Sequence, residues 1–295
     1  TDGPIPNTAS AVAWANDGRT LFYTTFDDAH RSYKLFRHTV GDDPGRDVLI
    51  YHETDDAFRV HVSRSRSGAY ILLTVSSMST SEVHFLPADE PLGAFRVLEP
   101  RRPWVEYDVE HHGDRFLIRT NDGAVNFKLM EAPVHSPGKA HWRELLPHRA
   151  DVYLQGIDAF RDYLAAYERE DGLQHIRISA PDGASDAYRV PFPDPAYRVV
   201  RARNPEYDAT VLRFSFSSPV TPESTVDYDM ARRVWKVMKP QEIPSGYDAS
   251  QYELQRLHAV APDGTRTPIS LVARKGRPRD GRHPLLLFAY GSYGY

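Results

Sequence analysis

The 295-residue sequence contains no cysteine, and this absence excludes several kinds of protein. A disulfide scaffold, a thiolate zinc site and a cysteine nucleophile all need the missing residue. Long hydrophobic runs are also missing: the longest, residues 285–290, is far shorter than the ~20 residues of a membrane-spanning helix. We therefore expect no membrane partner.

An excess of basic charge is the third feature that the sequence lacks. Thirty-six Lys and Arg face 40 Asp and Glu, which gives a net charge of -4. Nucleic-acid-binding proteins usually carry a clearly basic face, and no glycine-rich phosphate-binding motif occurs. We expect no nucleic-acid partner and no cofactor. The 26% charged and 41% hydrophobic residues are ordinary for a folded soluble protein, and we expect a cytoplasmic location.

A pattern of four short strands recurs five times along the chain. The second residue of the first tight turn marks each repeat, and the five markers are Gly18, Gly68, Gly113, Asp162 and Asp208. Their spacings are 50, 45, 49 and 46 residues. A period of this size with four strands per unit is typical of β-propeller blades, which cover their apolar faces by stacking around an axis.

A β-sandwich is the alternative fold, because it also contains regular short strands and turns. A sandwich does not keep a four-strand period through five repeats, so the propeller is favoured. In the third repeat the predicted strands are residues 105–109, 115–119, 125–130 and 142–146.

The character of the sequence changes after Pro240. Residues 241–251 form a polar hinge, and Pro262-Asp263-Gly264 predicts a hairpin turn between strands at residues 252–261 and 267–274. The apolar run at residues 285–290 predicts a strand buried on both faces, as in α/β sheets. We thus expect propeller blades over residues 1–240 and the start of an α/β domain over residues 252–295.

The last residues of the chain hold the candidate catalytic groups. Ser292 lies in Gly291-Ser292-Tyr293-Gly294, but the nucleophile motif G-x-S-x-G fails because position 290 is Tyr. A tyrosine hydroxyl after a central strand can stabilise an oxyanion, which makes Tyr290 and Tyr293 candidates. The alternative is that both are ordinary packing aromatics.

Histidines and acidic residues give no pattern of metal-site quality. His111 and His112 are adjacent, so on a strand they point to opposite faces and cannot chelate one ion. Residues 52–56 are interpreted as a solvated polar loop. Acidic pairs occur at residues 27–28, 42–43, 55–56 and 89–90; they could attract cationic ligands to a propeller funnel or simply keep loop tips soluble. We expect no metal.

Several segments together resemble the prolyl oligopeptidase family of serine peptidases, and most closely its oligopeptidase B (protease II) branch. They comprise residues 10–18 and 21–24, the hinge segments around Lys239-Pro240-Gln241-Glu242 and Tyr247-Asp248, residues 263–272, Pro284-Leu285-Leu286-Leu287 and Tyr290-Gly291-Ser292-Tyr293-Gly294. The resemblance extends over essentially the whole chain.

The resemblance implies a fold and an activity. Members of the family place a seven-bladed propeller on an α/β-hydrolase domain and cleave short peptides, in this branch after Arg or Lys. It implies that the chain holds the last five blades and the first hydrolase strands, with Tyr290 as the oxyanion-hole residue and Tyr293 as the weaker candidate. The family's catalytic Ser, Asp and His would all lie beyond residue 295, so we expect a piece that is truncated at both ends and inactive alone.

Two other functions stay open. One is a non-catalytic propeller that binds protein partners, which would not need the segment from residue 252 onward. The other is a different propeller-capped peptidase of the dipeptidyl or acylaminoacyl type. Because an open array of blades exposes apolar faces, we also expect the chain alone to be poorly soluble or to associate.

Overall fold

The computed structural model describes residues 4–290, and these contain five four-stranded antiparallel sheets followed by one two-stranded hairpin. Each four-stranded sheet is built from four consecutive strands that pair in chain order. Sheet one contains β1 (Thr8–Trp14), β2 (Thr20–Phe26), β3 (Ser32–Thr39) and β4 (Val48–His52). Sheet two contains β5 (Arg59–Arg64), β6 (Tyr70–Ser76), β7 (Ser81–Pro87) and β8 (Arg96–Glu99).

The other three sheets repeat this arrangement. Sheet three contains β9 (Tyr107–His112), β10 (Arg115–Thr120), β11 (Lys128–Pro133) and β12 (Arg143–Leu146). Sheet four contains β13 (Val152–Ala159), β14 (Leu164–Glu170), β15 (Leu173–Ser179) and β16 (Tyr188–Arg189). Sheet five contains β17 (Arg198–Arg201), β18 (Val211–Ser218), β19 (Thr221–Asp229) and β20 (Val234–Pro240). The predicted four-strand repeat is confirmed.

Tight turns join the first two strands of the sheets. Gly18, Gly68 and Gly113 occupy these turns with φ of 65°, 73° and 63°. This left-handed conformation costs glycine little because it has no Cβ, which explains why three of the five markers are glycine.

Successive sheets pack face to face through four separate cores. Phe22 of sheet one packs with Val60 of sheet two, and Phe85 of sheet two meets Phe116 of sheet three with ring centroids 5.0 Å apart. Similar cores join sheet three to four and sheet four to five. Each buried aromatic ring contributes about 1.5–3 kcal/mol, so stacking of neighbours holds the array together.

In the described part of the chain, sheets one and five, at the two ends of the array, each pack against one neighbouring sheet. Ala11 and Ala13 of β1 pack toward sheet two, whereas Trp14 points away and is 43% exposed. Among residues 4–290, no apolar core joins sheet five to sheet one. The domain is all-β and propeller-like, with its blades stacked in chain order.

The C-terminal hairpin is confirmed. Strands β21 (Tyr252–Val260) and β22 (Arg266–Arg274) pair along their whole length, and Gly264 takes φ of 86° in the turn between them. Arg256 and His258 of β21 both contact Asp171 in the turn between β14 and β15, so the hairpin packs on sheet four.

The predicted buried strand at residues 285–290 is wrong for this structure. These residues form no strand, and Leu286 is 92% exposed. A strand buried on both faces needs paired strands at its edges and layers over its faces, and residues 4–290 supply neither to this segment.

Two strands of sheet three were placed too early: the predictions for residues 105–109 and 125–130 precede β9 and β11. The structure starts β11 at Lys128, because residues 121–127 form a turn in which Phe127 has φ of 61°. Val125 lies in that turn and is 81% exposed.

No helix among residues 4–290 has the length and apolarity needed to span a bilayer.

Candidate functional site in the central channel

The first strands of sheets two to five converge on a central channel. Their antiparallel order puts the turns that follow the first strands at one end, which we call the distal end. The turn between β14 and β15 lies at the opposite end, where the hairpin packs, and we call this the hairpin end. A pocket lies at each end.

The distal pocket has a volume of about 780 Å³. Four successive sheets contribute to it, from the end of β5, from β9 and β13, and from the end of β17 with the loop that follows. Its charged lining residues are Arg64, Arg66, Glu110, Asp158, Arg161, Arg201, Arg203, Glu206 and Asp208. Positive and negative groups are therefore nearly balanced in this pocket.

A cluster of two arginines and two carboxylates lies at the base of the distal pocket. Arg66, in the turn after β5, and Arg201 of β17 both donate to the Asp158 carboxylate of β13. Glu110 of β9 lies 3.4 Å from Arg66 and 3.6 Å from Arg201. The cluster thus connects sheets two, three, four and five at one point.

Asp158 is fully buried, and its carboxylate accepts hydrogen bonds from four side chains, two of them the arginines of the cluster. Tyr167 donates to Oδ2 at 2.7 Å, and the Asn204 amide lies 3.4 Å from the same oxygen. Asn204 also accepts a hydrogen bond from the Arg213 backbone at 2.8 Å, which fixes its side chain. A buried carboxylate is stable only with such complete pairing.

Burial shifts the pKa values of two groups in the cluster. Burial raises the pKa of Glu110 to about 7; the negative charge of Asp158 adds to the rise, and the Arg66 and Arg201 charges oppose it. Burial and the adjacent Asp158 charge raise the pKa of Tyr167 well above its ordinary value, so this phenol stays protonated and donates. A pKa near 7 means that Glu110 exchanges its proton near neutral pH.

The hairpin-side pocket has a volume of about 590 Å³ and lies between sheets four and five. Residues of β13, β14, β15 and β17 form its walls, and Arg201 borders both pockets. Its polar lining residues are Tyr153, Gln155, Tyr167, Arg169, Gln174, His175, Tyr197, Arg198 and Arg201. No carboxylate belongs to this lining, in contrast to the distal pocket.

Of the predicted catalytic residues, Tyr290 is the one that the structure describes. Tyr290 is 61% exposed and belongs to the lining of neither pocket. Tyr293 and Ser292 lie outside the described residues. The role of Tyr290 as an oxyanion donor stays a prediction.

The prediction that His111 and His112 point to opposite faces of a strand is confirmed by the contacts of the two rings. His111 Nδ1 lies 2.7 Å from the Ser67 hydroxyl of sheet two, whereas His112 Nε2 lies 2.9 Å from the Arg161 carbonyl oxygen of sheet four. The side chains therefore point to opposite neighbours.

The interpretation of residues 52–56 as a solvated loop is wrong at one position. Glu53 is buried, and its carboxylate accepts hydrogen bonds from Arg101 and Tyr51 at 2.9 Å each. These contacts hold the pKa of Glu53 below its ordinary value even though burial alone raises it. Glu53 thus links the loop after sheet one to the loop after sheet two.

The central ion cluster was missed by the sequence interpretation. Arg66 and Asp158 are 92 positions apart, and no local motif connects them. The available signal was the marker turn itself: Arg66 stands just before the second marker and Asp158 shortly before the fourth, so both lie where first strands end. Glu110 stands three residues before the third marker, so a charged residue close to the end of a first strand is the shared signal.

Residues 3–241 match the family model described as prolyl oligopeptidase, N-terminal beta-propeller domain. The chain is 39% identical over 293 residues to a dipeptidyl aminopeptidase BI from Pseudoxanthomonas mexicana, covering 98% of this chain and 40% of that protein. It is 33% identical to a protease 2 from Moraxella lacunata, covering 98% of this chain and 42% of that protein.

Solved structures agree with these sequence relatives. Oligopeptidase B from Leishmania major superposes with a TM-score of 0.82 and 30% identity, covering 92% of this chain and 39% of that one. Oligopeptidase B from Trypanosoma brucei gives a TM-score of 0.82 and 31% identity, covering 93% and 40%. The chain therefore spans about 40% of the length of the relatives that it matches.

Proposed function

Because this chain belongs to the prolyl oligopeptidase family and lies close to oligopeptidase B, we propose that it is the propeller portion of a serine oligopeptidase that cleaves short peptides after Arg or Lys. The observation that carries this proposal is the family match over residues 3–241. In the whole protein, seven blades would cover an α/β-hydrolase domain and exclude folded proteins from the cavity between them.

The proposed reaction is acyl transfer. A serine of the hydrolase domain attacks the peptide carbonyl, a histidine accepts the serine proton and passes it to the leaving amine, and an aspartate orients the histidine. Tyr290 would donate to the oxyanion of the tetrahedral intermediate. All three triad residues would lie beyond residue 295, so the 295-residue chain alone would not hydrolyse peptides.

A second candidate activity is the removal of N-terminal dipeptides. It is favoured by the 39% identity to a protein named dipeptidyl aminopeptidase BI. The two candidates differ in one requirement: a dipeptidyl peptidase needs a free amino terminus two residues before the cleaved bond, whereas an oligopeptidase accepts a blocked one.

The test uses the protein expressed from its complete coding region, with the 295-residue chain as control. We expect a serine-directed fluorophosphonate to label the former and not the latter. An N-acylated peptide with Arg before the cleaved bond should be hydrolysed faster than the same peptide with Gln in that place. Absence of labelling would overturn every serine peptidase assignment, and cleavage of unblocked substrates alone would favour the dipeptidyl activity.

The role of Tyr290 has its own test in the complete protein. Tyr290→Phe should lower kcat by about 10²–10³-fold with little change in KM, because an oxyanion donor acts mainly in the transition state. Tyr247→Phe is the matched control, since the Tyr247 hydroxyl donates to the Val220 carbonyl oxygen and lies in the hinge. An unchanged kcat in Tyr290→Phe would transfer the candidacy to Tyr293.

A further inference from the structure

The hairpin-side pocket lies on the face of the propeller where the hairpin packs. Gly172 belongs to its rim, and a methyl group added at Gly172 would stand 3.0 Å from Cγ of Pro268 in β22. Arg256 of the hairpin also donates to Asp171, next to this rim. The pocket therefore opens beside the segment that leads into the proposed catalytic domain.

Strand alternation separates arginines from carboxylates in sheet four. Successive side chains of β14 point to opposite faces, so Arg169 shares the face of Tyr167, which packs toward sheet five. Glu168 and Glu170 lie on the other face and pair with Arg189. The lining of the pocket thus keeps positive charge without a matching carboxylate.

Two of the three lining arginines are not neutralised. Arg169 donates only a long hydrogen bond of 3.4 Å to the Gly172 carbonyl oxygen, and its buried Nε has no hydrogen-bond partner in the described part of the chain. Arg198 forms no side-chain hydrogen bond or ion pair with any of residues 4–290. Arg201 is neutralised by Asp158, as described above.

The remaining polar groups of the pocket are neutral. Burial and the nearby Arg189 charge lower the pKa of His175, and burial raises the pKa of Tyr197 to about 12. The Gln174 amide oxygen accepts from the Val199 backbone at 3.0 Å, which leaves its NH₂ group to donate. Neutral amides and tyrosine rings around uncommitted arginines suit a ligand that combines a carboxylate with peptide groups.

We propose that the hairpin-side pocket binds a carboxylate of an oligopeptide through Arg169 and Arg198. An arginine and a carboxylate form paired, charge-assisted hydrogen bonds, and the unpartnered Arg169 Nε would gain its missing acceptor. The site would hold the acidic end of a peptide against the propeller wall while another part of the chain extends toward the hairpin. This inference rests on the proposed function only in taking peptides as the ligands.

Equilibrium binding to the protein expressed from its complete coding region tests the site. The probes are the tetrapeptide Ala-Ala-Tyr-Ala with a free carboxyl terminus, its C-terminal amide, and the amide of Ala-Glu-Tyr-Ala. All three carry an N-terminal acetyl group and none contains Arg or Lys, so neither removal of a dipeptide nor hydrolysis after a basic residue enters the measurement. We expect at least one of the two carboxylate-bearing peptides to bind about tenfold more tightly than the neutral amide, as one charge-assisted contact provides.

Substitutions test which arginines bind the carboxylate of the peptide. Arg169→Gln should abolish the preference for a carboxylate, and Arg198→Gln, on an exposed side chain, should reduce it at least threefold. Arg232→Gln is the matched control, because Arg232 is 82% exposed and lies in the turn between β19 and β20, outside the lining of the pocket. Equal binding of all three peptides, or an unchanged preference in both pocket variants, would overturn the assignment. A negative fluorophosphonate result would overturn the peptidase proposal and leave this binding result standing.

Discussion

At the distal end of the channel, Arg66 and Arg201 share Asp158 and Glu110, whereas at the hairpin end Arg169 and Arg198 form no ion pair with any of residues 4–290. The distal pocket is lined by first strands of four sheets, whereas the hairpin-side pocket lies between sheets four and five. The difference in ion pairing follows from the placement of the carboxylates. Those at the distal end point into the channel, and those of β14 point away from it. Arginine at the distal end therefore joins sheets, and arginine at the hairpin end remains available to a ligand.

Removal of the shared carboxylate should produce the largest effect. Asp158→Ala leaves Arg66 and Arg201 buried or half-buried with one carboxylate between them, and we expect a loss of about 3–5 kcal/mol in the free energy of unfolding. Urea denaturation followed by circular dichroism measures it. Asp208→Ala is the matched control: its pair with Arg161 is exposed, and the loss should stay below about 1 kcal/mol. Equal losses would show that burial does not distinguish the two pairs.

The next comparison is between an arginine of the distal cluster and an arginine of the hairpin-side pocket. Arg66→Gln should destabilise the protein by about 3 kcal/mol or more, because it removes a buried partner of Asp158. Arg169→Gln should change stability by less than ~0.5 kcal/mol, since its guanidinium makes one long hydrogen bond. The same urea experiment compares the two. A large loss in Arg169→Gln would assign Arg169 a structural role and weaken the proposed binding site.

The pH dependence of stability should report Glu110. Its pKa is raised in the folded protein to about 7, so the folded state holds this proton over a range where the unfolded state has lost it. The contribution of Glu110 to the free energy of unfolding is fully present below its pKa in the unfolded chain, near 4.5. This contribution is lost as the pH rises toward the folded pKa of about 7. Glu110→Gln should remove this decrease, and Glu206→Gln, a carboxylate exposed in the same pocket, should retain it. An unchanged profile in Glu110→Gln would contradict the assignment.

The smallest effect is expected at the contact between the hairpin and sheet four. Asp171→Asn removes the charge that Arg256 and His258 contact, and asparagine tolerates the φ of 48° at this position. We expect a loss of 0.2–1 kcal/mol, typical of exposed pairs, and faster amide hydrogen exchange in the hairpin. Asp186→Asn, also at a left-handed residue with φ of 53°, is the control. Equal exchange in both variants would show that Asp171 does not hold the hairpin.

The sequence predicted what depends on local patterns. The turn glycines, the alternation of apolar residues and the period of 45 to 50 residues identified five sheets, and the Asp263-Gly264 turn identified the hairpin. Boundaries failed where a single residue adopts an unusual conformation, as Phe127 does before β11. The strand at residues 285–290 failed because its apolar pattern presupposes neighbouring strands, which the described residues do not provide.

The ion pairing in each pocket, in contrast, was decided by tertiary structure. Composition and strand period could establish that the blades stack. Each sheet must cover its own apolar faces, and this need can be predicted from the sequence of each repeat separately. Only the packing of sheets two to five brings Arg66 within reach of Asp158, and only the packing of sheet four on sheet five places Arg169 in the hairpin-side pocket. Electrostatic energy depends on distances of a few ångströms between groups that lie many residues apart in the chain. The sequence therefore determined the repeat, and the packing of the repeats determined which arginines are neutralised and which are left for a ligand.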